Sequence, residues 1–339
     1  MIAYTQLKDN NRQNLRDIIP LEKPFTLVIE PSSLCNYRCV MCFQSTSESK
    51  YFNEHKRNMP LDTFKLIIKQ MNEWNGNKLK VLKLSLYGEP LINPDFCDMV
   101  FLAREAGIAE RIETTTNASL LTPEISKRLV SDGLDYIRVS YYSPIQSKHE
   151  NITSSKININ TIKKNLEILQ DIKQRKNSKT PFIAIKMLNT FNEENGLFNA
   201  IFEEIADEVY IEKPHNWVAT SEKSFLNSLY GKNNDDLKNE INNDDNMYKA
   251  CGSSFYTLSI RNNGDVAPCC VDWIGGTNVG NIFITSLQDI WHSDELRKFW
   301  IMQIEGRNNE NYSCRNCQVY RSSYYSKDNV DGTPVDRFK

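Results

Sequence analysis

The sequence predicts an α/β fold in which helices connect the strands of a parallel sheet. Six short strand-like runs alternate with helical patterns between residues 26 and 213. The first helical pattern repeats apolar side chains on one face, as at Phe64, Ile67 and Met71. Strand–helix units repeated in this way form open sheets or barrels, which bind ligands at the carboxyl ends of their strands. We therefore expect functional side chains at those ends.

The individual elements follow from the residue patterns. The predicted strands are TLVIEPS (26–32), LKLSLYGEP (82–90), RIETTTN (111–117), YIRVSYYS (136–143), PFIAIKML (181–188) and EVYIEK (208–213). The predicted helices are DTFKLIIKQMNEW, DFCDMVFLAREAG, TPEISKRLV, a stretch containing Ile162, Leu166, Leu169 and Ile172, and GLFNAIFEEIA. Each helix lies between two predicted strands, so parallel pairing is expected throughout.

The chain divides into five predicted parts. Residues 1–25 form an N-terminal extension and residues 26–218 form the strand–helix core. Residues 219–250 are polar and rich in Asn and Asp, which indicates a linker. Residues 251–320 form a small C-terminal module, and residues 321–339 form a tail.

The C-terminal module begins with a predicted hairpin. Its turn contains Asn263–Gly264, a dipeptide that favours a type I′ turn. A helix is expected to follow, with Ser286 at its N-cap and Asp289 three residues further along. The sequence therefore predicts a small α+β module after the linker.

Composition excludes several function classes. Of the 339 residues, 40% are hydrophobic and 25% are charged, and the formal net charge is −2. This balance is typical of an ordinary globular protein and provides no basic surface for nucleic acid or an anionic membrane. The N-terminus shows no signal peptide, and no apolar run approaches membrane-spanning length. A cytoplasmic location is expected, where clustered cysteines bind metal more often than they form disulfides.

Three of the nine cysteines, Cys35, Cys39 and Cys42, fall within the eight residues CNYRCVMC that follow the first predicted strand. A structural zinc ion requires four ligands, and this loop offers three thiolates without a local fourth. Three thiolates instead suit three irons of a [4Fe–4S] cluster whose fourth iron stays open to another ligand. An iron–sulfur site is the favoured interpretation, with zinc as the alternative.

The spacing Cys-x₃-Cys-x₂-Cys after a first strand resembles the radical S-adenosylmethionine (SAM) superfamily. The resemblance implies a partial (β/α)6 barrel whose cluster binds SAM at the open iron and cleaves it reductively. A 5′-deoxyadenosyl radical then abstracts a hydrogen atom from a substrate, and a flavodoxin- or ferredoxin-type partner supplies the electron. Family members often have an aromatic residue before the third cysteine, where this chain has Met41. A methionine side chain can also pack on an adenine.

Polar residues at the following strand ends extend the resemblance. The family binds the amino group of SAM with a motif that resembles the tripeptide Gly88-Glu89-Pro90. It contacts the ribose or carboxylate of SAM near the ends of the third and fourth strands. Without the resemblance, the polar residues at these strand ends would be interpreted as half-buried side chains that form hydrogen bonds with neighbouring backbone groups. The residues implied to bind SAM are Met41, Gly88, Glu89, Pro90, Thr115, Thr116, Asn117 and Ser140.

A second group of cysteines, Cys251, Cys269, Cys314 and Cys317, could by spacing alone hold either zinc or a second iron–sulfur cluster. Their pattern resembles the SPASM and shorter twitch extensions of radical SAM enzymes. A full SPASM extension requires further cysteines after Cys317, and the chain has none. The resemblance therefore implies one auxiliary [4Fe–4S] cluster with four cysteine ligands, in addition to the SAM-binding cluster.

The cysteine layout also resembles that of the twitch dehydrogenase which oxidises an aminocyclitol alcohol in butirosin biosynthesis. This implies alcohol oxidation on a small sugar, aminocyclitol or related polyol, with the auxiliary cluster accepting an electron. An acid/base residue is then needed near the hydroxyl. The candidates are Tyr142, Glu212, Lys213 and His215. The remaining thiol in this module, Cys270, is either a buried apolar residue or a hydrogen-atom donor to a substrate radical.

Three alternatives stay open at this point. The chain could modify a ribosomal peptide, as many SPASM enzymes do, although 25 residues before the core are too few for a leader-peptide domain. It could epimerise a sugar with Cys270 as hydrogen donor. It could also be an iron–sulfur electron-transfer or carrier protein, which would need no SAM pocket.

Overall fold

One sheet of nine strands organises the part of the chain that the structure, a computed structural model, describes: residues 12–45, 50–213, 229–230, 248–315, 317 and 326–339. The strands are β1 (Thr26–Ile29), β2 (Leu79–Leu84), β3 (Ala109–Thr116), β4 (Tyr136–Ser140), β5 (Phe182–Leu188), β6 (Glu208–Glu212), β7 (Thr257–Ile260), β8 (Asp265–Ala267) and β9 (Gly280–Asn281). Their order across the sheet is β6-β5-β4-β3-β2-β1-β7-β8-β9.

The six strands β1–β6 are parallel to their neighbours, which confirms the predicted core. Within the described residues, β6 pairs with β5 alone and β1 pairs with β7 on its other side, so the six strands do not close on themselves. Strand β2 ends at Leu84, earlier than predicted, and residues 85–89 form a turn before a short 3₁₀ helix at Pro90–Ile92. The predicted SAM motif therefore lies on a loop.

Helices that connect the core strands pack against one face of the sheet, and the described part of the chain contains eleven α-helices in all. They are α1 (Leu15–Ile18), α2 (Lys50–Glu54), α3 (Leu61–Glu73), α4 (Phe96–Ala106), α5 (Pro123–Ser131), α6 (Gln146–Thr153), α7 (Ile159–Arg175), α8 (Glu194–Phe202), α9 (Leu287–Trp291), α10 (Asp294–Ile304) and α11 (Tyr312–Arg315). The five predicted core helices correspond to α3, α4, α5, α7 and α8. Not one of the helices described here is long and apolar enough to cross a membrane.

Local sequence signals set several helix ends. Gly107 ends α4 in the left-handed conformation, with φ of 60°. Thr122 caps α5 by accepting a hydrogen bond from the Ile125 N–H, and Pro123 occupies the first helical position. The helix predicted to begin after Ser286 is two helices, because Ser293 accepts from the Leu296 N–H and caps α10 separately.

The C-terminal module continues the core sheet. Strand β7 pairs in parallel with β1 through the registers Thr26↔Thr257 and Ile29↔Ile260. Strand β8 then pairs with β7 in the antiparallel direction, as predicted for a hairpin. The two cysteine-bearing parts of the chain are therefore joined through one hydrogen-bonded sheet.

The turn between β7 and β8 differs from the prediction. A type I′ turn requires positive φ at both central residues, and only Gly264 of the pair has it, at 85°. The Gly264 N–H donates to the Arg261 carbonyl at 2.9 Å, and the Arg261 N–H donates to the Asp265 carbonyl at 2.9 Å. This is a type I turn followed by a glycine bulge, so the type I′ prediction was wrong.

Candidate active site

The cysteine loop follows β1 and rests on the end of α6. The Arg38 N–H donates to the Thr153 carbonyl and the Val40 N–H to the Ile152 carbonyl, each at 2.8 Å. Further along the loop, the Cys42 N–H donates to the Cys39 carbonyl at 2.9 Å. These backbone bonds fix the loop at the carboxyl edge of the sheet, as predicted.

The three thiols of this loop, Cys35, Cys39 and Cys42, lie close enough to influence one another. Burial raises the pKa of each, to about 12 for Cys42, and the other thiols raise the pKa of Cys39 further. Without a bound cation the loop therefore favours neutral thiols, whereas iron would bind the thiolates. Three convergent soft donors fit three corners of an iron–sulfur cluster.

Gly88 packs directly against the cysteine loop. A Cβ atom at this position would lie 2.3 Å from the Ser32 carbonyl oxygen and 2.4 Å from that of Leu34. The next residue, Glu89, donates its N–H to the same Leu34 carbonyl at 2.8 Å. The close approach of two backbone segments therefore requires glycine here.

The Glu89 carboxylate is buried and links the loop after β2 to the end of β3. It accepts hydrogen bonds from the Thr116 hydroxyl at 2.6 Å, the Asn117 N–H at 2.8 Å and the Leu91 N–H at 3.2 Å. Burial raises the pKa of Glu89 to about 7, and these three hydrogen bonds oppose the rise. The carboxylate thus already positions the neighbouring strand end, and its contact with SAM remains a prediction. Pro90 begins the short 3₁₀ helix that follows.

Asn117 connects the end of β3 to the cysteine loop. Its side-chain amide donates to Asn36 Oδ1 at 2.9 Å, and the Asn36 amide donates to the Ser119 hydroxyl at 2.8 Å. Thr115 faces the other way, where its hydroxyl accepts from Arg138 Nε at 3.3 Å. Ser140 is half-buried at the end of β4. The predicted strand-end residues therefore divide between the cysteine loop and the sheet face opposite the helices, and sequence reasoning missed Asn36.

A cavity of about 460 Å³ lies between the cysteine loop and the carboxyl ends of β4 and β5. Its volume is within the range of small-molecule and cofactor sites. The lining combines apolar and polar side chains: Val40, Met41, Tyr141, Tyr142, Lys148, Asn151, Ile152, Leu188, Thr190, Asn192, Glu194, Leu229 and Tyr230. Two of the predicted site residues, Met41 and Tyr142, border it.

Tyr142 also contacts the cysteine loop. Its hydroxyl interacts with the Cys39 thiol, which lowers the pKa of Cys39 against the larger effect of burial. Its ring packs edge-on against Tyr37, with centroids 5.9 Å apart. Tyr142 therefore lies between the cavity and a candidate cluster ligand, and its acid/base role remains a prediction.

The acidic candidate Glu212 ends β6 and forms an ion pair with Lys186 of β5. Both side chains are largely buried, with 14% and 18% of their surfaces exposed. Lys213 follows directly and is partly exposed. His215 lies outside the described residues. The structure thus pairs one predicted acid/base residue with a lysine that sequence reasoning missed.

The second group of cysteines converges in the C-terminal module. Cys251, Cys314 and Cys317 affect one another electrostatically, and burial raises the pKa of Cys251 to about 11 and that of Cys314 to about 12. Cys269 is partly exposed; burial raises the pKa of its thiol, and the nearby Cys270, Asp272, Cys317 and Cys251 raise it further. Four soft donors in one place fit a fully ligated cluster. Among the described residues, no group of three or more His, Cys, Asp or Glu side chains is arranged to hold a single metal ion.

Gln303 joins two of these cysteines. Its side-chain oxygen accepts from the Cys251 N–H at 3.1 Å, and its amide donates to Cys314 Sγ at 3.5 Å. Gln303 is completely buried. No local pattern in the sequence marks it, because its partners are 11 and 52 residues away along the chain.

Cys270 is partly exposed and lies within electrostatic range of the core sheet. Burial raises the pKa of its thiol, and the positive charges of Lys83 on β2 and Arg138 on β4 oppose the rise. Arg138 also contacts Thr115, one of the predicted strand-end residues. The Cys270 thiol is therefore within range of positive charges on the strand face opposite the helices, here called the open face, as well as of Cys269.

Two family models match the chain. The model of the radical SAM superfamily matches residues 29–194, and that of the SPASM iron–sulfur cluster-binding domain matches residues 251–318. The matched segments contain the first and second groups of cysteines, respectively.

Curated relatives match a shorter part of the chain. A tungsten-containing aldehyde ferredoxin oxidoreductase cofactor-modifying protein of Pyrococcus furiosus is 33% identical over 114 residues, which cover 34% of this chain and 30% of that protein. An AdoMet-dependent heme synthase of Methanosarcina barkeri is 29% identical over 128 residues, which cover 38% of this chain and 34% of that protein. The matches thus span about a third of the length of these relatives.

Solved structures share the fold over most of the chain. BtrN in complex with AdoMet and 2-DOIA has a TM-score of 0.52 at 19% identity and covers 88% of this chain and 97% of its own. SuiB of Streptococcus suis bound to the precursor peptide SuiA has a TM-score of 0.62 at 18% identity, with coverages of 94% and 77%. Native anSMEcpe with bound AdoMet has a TM-score of 0.59 at 14% identity, with coverages of 91% and 92%.

Proposed function

The chain belongs to the radical SAM superfamily and carries a SPASM-type iron–sulfur domain, and on this premise we propose that it oxidises an alcohol of a small polyol. Family membership makes it a radical SAM enzyme with SAM and [4Fe–4S] clusters as cofactors. The proposal adds the substrate class, a sugar, aminocyclitol or related polyol, and a flavodoxin- or ferredoxin-type reductant.

The two groups of cysteines would hold two clusters. Cys35, Cys39 and Cys42 would bind the SAM cluster and leave one iron open, and the four cysteines of the C-terminal module would bind the auxiliary cluster. The cavity beside Met41 would receive the adenosyl group of SAM, because it adjoins the cysteine loop and has the volume of a cofactor site. The thioether of Met41 would pack on the adenine ring.

When bound, SAM and the clusters supply a radical and an electron acceptor, so that a CH–OH group loses a hydrogen atom, a proton and an electron to become C=O. The protein must accept that proton at a side chain near the hydroxyl. Glu212 is the leading candidate, since its carboxylate lies at a strand end and Lys186 holds it in place. Tyr142 is the second, because its ring borders the cavity.

One observation supports the choice of oxidation: the auxiliary module is joined directly to the core sheet. Strand β7 extends the core sheet from β1, and Cys270, next to the candidate ligand Cys269, lies near Lys83 and Arg138. A cluster held there would be close to a substrate bound on the open face. This proximity supports direct transfer of an electron from substrate to protein.

The position of Cys270 also supports a second candidate, radical epimerisation. A thiol near the open face could return a hydrogen atom to the substrate carbon. The two candidates differ in outcome, because oxidation removes two electrons from the substrate and epimerisation removes none.

The test begins with anaerobic iron and sulfide analysis and EPR of the reduced protein, with and without SAM. We expect about eight irons per chain and a spectrum that SAM alters in part, as for one open and one closed cluster. Four irons and one zinc would remove the electron acceptor and with it the oxidation proposal. Polyols and nucleotide sugars are then screened for 5′-deoxyadenosine together with a carbonyl product. Turnover of peptides in the same screen, without turnover of polyols, would contradict the substrate class.

A further inference from the structure

The C-terminal module contacts the cysteine loop of the core on its N-terminal side. The Asn262 N–H donates to Glu30 Oε2 at 3.1 Å, and the Asn262 side-chain amide donates to the Ser33 hydroxyl at 2.8 Å. All three residues are buried. Ser33 lies two residues before Cys35, so the hairpin turn of the module helps to place the start of the loop.

The same module contacts the other end of the loop through two stacked rings. Trp273 stacks on Phe43, with ring centroids 5.2 Å apart and an interplanar angle of 15°. Phe43 follows Cys42 directly and is completely buried, and Trp273 is 3% exposed. Tyr87, next to Gly88, packs edge-on against Phe43 at 5.4 Å. The ring of Trp273 thus closes an aromatic cluster directly behind the third cysteine.

A buried ion pair fixes Trp273 in this position. Asp272, the preceding residue, pairs with Arg261, and 0% and 5% of the two side chains are exposed. The Asp272 carboxylate also accepts from the Thr277 hydroxyl at 2.6 Å and the Ser313 hydroxyl at 2.5 Å. Ser313 precedes Cys314. One carboxylate therefore ties the segment carrying Trp273 to the hairpin turn and to a cysteine of the second group.

We propose that Trp273 is a positioning residue through which the C-terminal module sets the conformation of the Cys35–Cys42 loop. Trp273 touches neither SAM nor a cluster in this proposal, and it acts through Phe43. A buried stacked ring resists displacement because neighbouring side chains are close-packed around it. The proposal rests on Cys35, Cys39 and Cys42 as cluster ligands, but it is independent of the substrate and of the reaction outcome.

The experiment uses the reconstituted protein with both clusters and the variants Trp273→Leu and Trp273→Phe. Leucine keeps an apolar side chain without the ring, and phenylalanine keeps a ring that can stack. SAM affinity is measured by calorimetry, and the environment of the first cluster by EPR with SAM. We expect Trp273→Leu to weaken SAM binding at least about tenfold and to alter the SAM-dependent EPR signal, while Trp273→Phe stays near the wild type.

Trp74→Leu is the matched control. Trp74 is 4% exposed, follows α3 directly and packs edge-on against His292, and it belongs to a different buried cluster from that of Phe43 and Trp273. The Trp74→Leu variant should be less stable than the wild type, with an unchanged affinity for SAM. Wild-type affinity and an unchanged EPR signal in Trp273→Leu would overturn the proposal, as would loss of auxiliary-cluster iron alone with SAM binding retained. Loss of iron from the first cluster would support it. Failure of the wild type to bind SAM would instead contradict the cluster assignment.

Discussion

Glu89 accepts a hydrogen bond of 2.6 Å from the hydroxyl of Thr116, and this contact joins the loop after β2 to the end of β3. The same carboxylate accepts from the Asn117 N–H, and Asn117 in turn contacts Asn36 in the cysteine loop. A single buried acid therefore aligns the loop after β2 and the end of β3 with the candidate cluster site. This structural role is separate from the contact with SAM that the family resemblance implies for Glu89.

Glu89→Gln tests this alignment. The amide has one oxygen in place of two, and its NH₂ group would face one of the present donors. The loss of a buried acceptor should cost about 1–3 kcal/mol of unfolding free energy. We expect a lower urea midpoint and weaker SAM binding, measured anaerobically on the reconstituted protein. Stability equal to that of the wild type would show that the three hydrogen bonds to Glu89 contribute little.

Gly88→Ala tests the close approach between the SAM motif and the cysteine loop. The added methyl group would meet two backbone carbonyl oxygens within 2.4 Å, so one segment must move. We expect loss of SAM binding together with destabilisation by more than about 1 kcal/mol.

Gly196→Ala is the matched control for Gly88→Ala. Gly196 lies within α8, and an added Cβ would meet nothing within 4 Å. Because alanine is the better helix former, the free energy of unfolding of this variant should rise by up to about 1 kcal/mol. Equal effects of the two alanines on stability and SAM affinity would contradict the steric explanation.

Residue periodicity predicted the core helices because each buries apolar side chains at helical spacing. Helix α7, for example, buries Ile162, Leu166 and Leu169. Helix α6 was not predicted, since its sequence QSKHENIT is polar and its buried residues are His149 and Thr153. Its position is set by contacts with the cysteine loop, which no local pattern encodes.

The candidate site was predictable to a similar extent. Cysteine spacing predicted both groups of thiols, and the structure places the members of each group within electrostatic range of one another, while their role as cluster ligands stays a prediction. The residues that position them, such as Asn36, Gln303 and Asp272, act across distant parts of the chain. Trp273 could not be distinguished from an ordinary core residue, because its significance depends on the neighbouring Phe43.

Glu30 should give folding stability a distinct pH dependence. It is buried near Arg261, His55 and Tyr87. Burial raises the pKa of Glu30 to about 7, and the Asn262 N–H and the charge of Arg261 oppose the rise. Because the pKa is higher in the folded than in the unfolded chain, the contribution of Glu30 to the free energy of unfolding is complete below its unfolded pKa of about 4.3. It is lost as the pH rises through 7.

Once the pH exceeds 8, the free energy of unfolding should have lost about 3 kcal/mol that protonated Glu30 contributes at low pH. Glu30→Gln replaces the protonated acid with a neutral group of the same shape. The urea midpoint should therefore fall less between pH 5.5 and pH 8 in this variant than in the wild type. Glu89 also has a raised pKa, so part of the dependence should persist. Parallel pH profiles for the two proteins would rule out Glu30 as a source.

Cys270→Ala distinguishes oxidation from epimerisation. If the auxiliary cluster accepts the electron through four other cysteines, the variant should still form the carbonyl product, with a rate loss below about tenfold. If Cys270 donates a hydrogen atom, the wild type should transfer one solvent deuterium to the substrate carbon in D₂O, because thiol protons exchange with solvent. The variant would then lose that transfer and form no epimer. Mass spectrometry of the product measures both outcomes.

Cys97→Ala is the control, since Cys97 is buried in α4 within the core cluster and its replacement should affect stability alone.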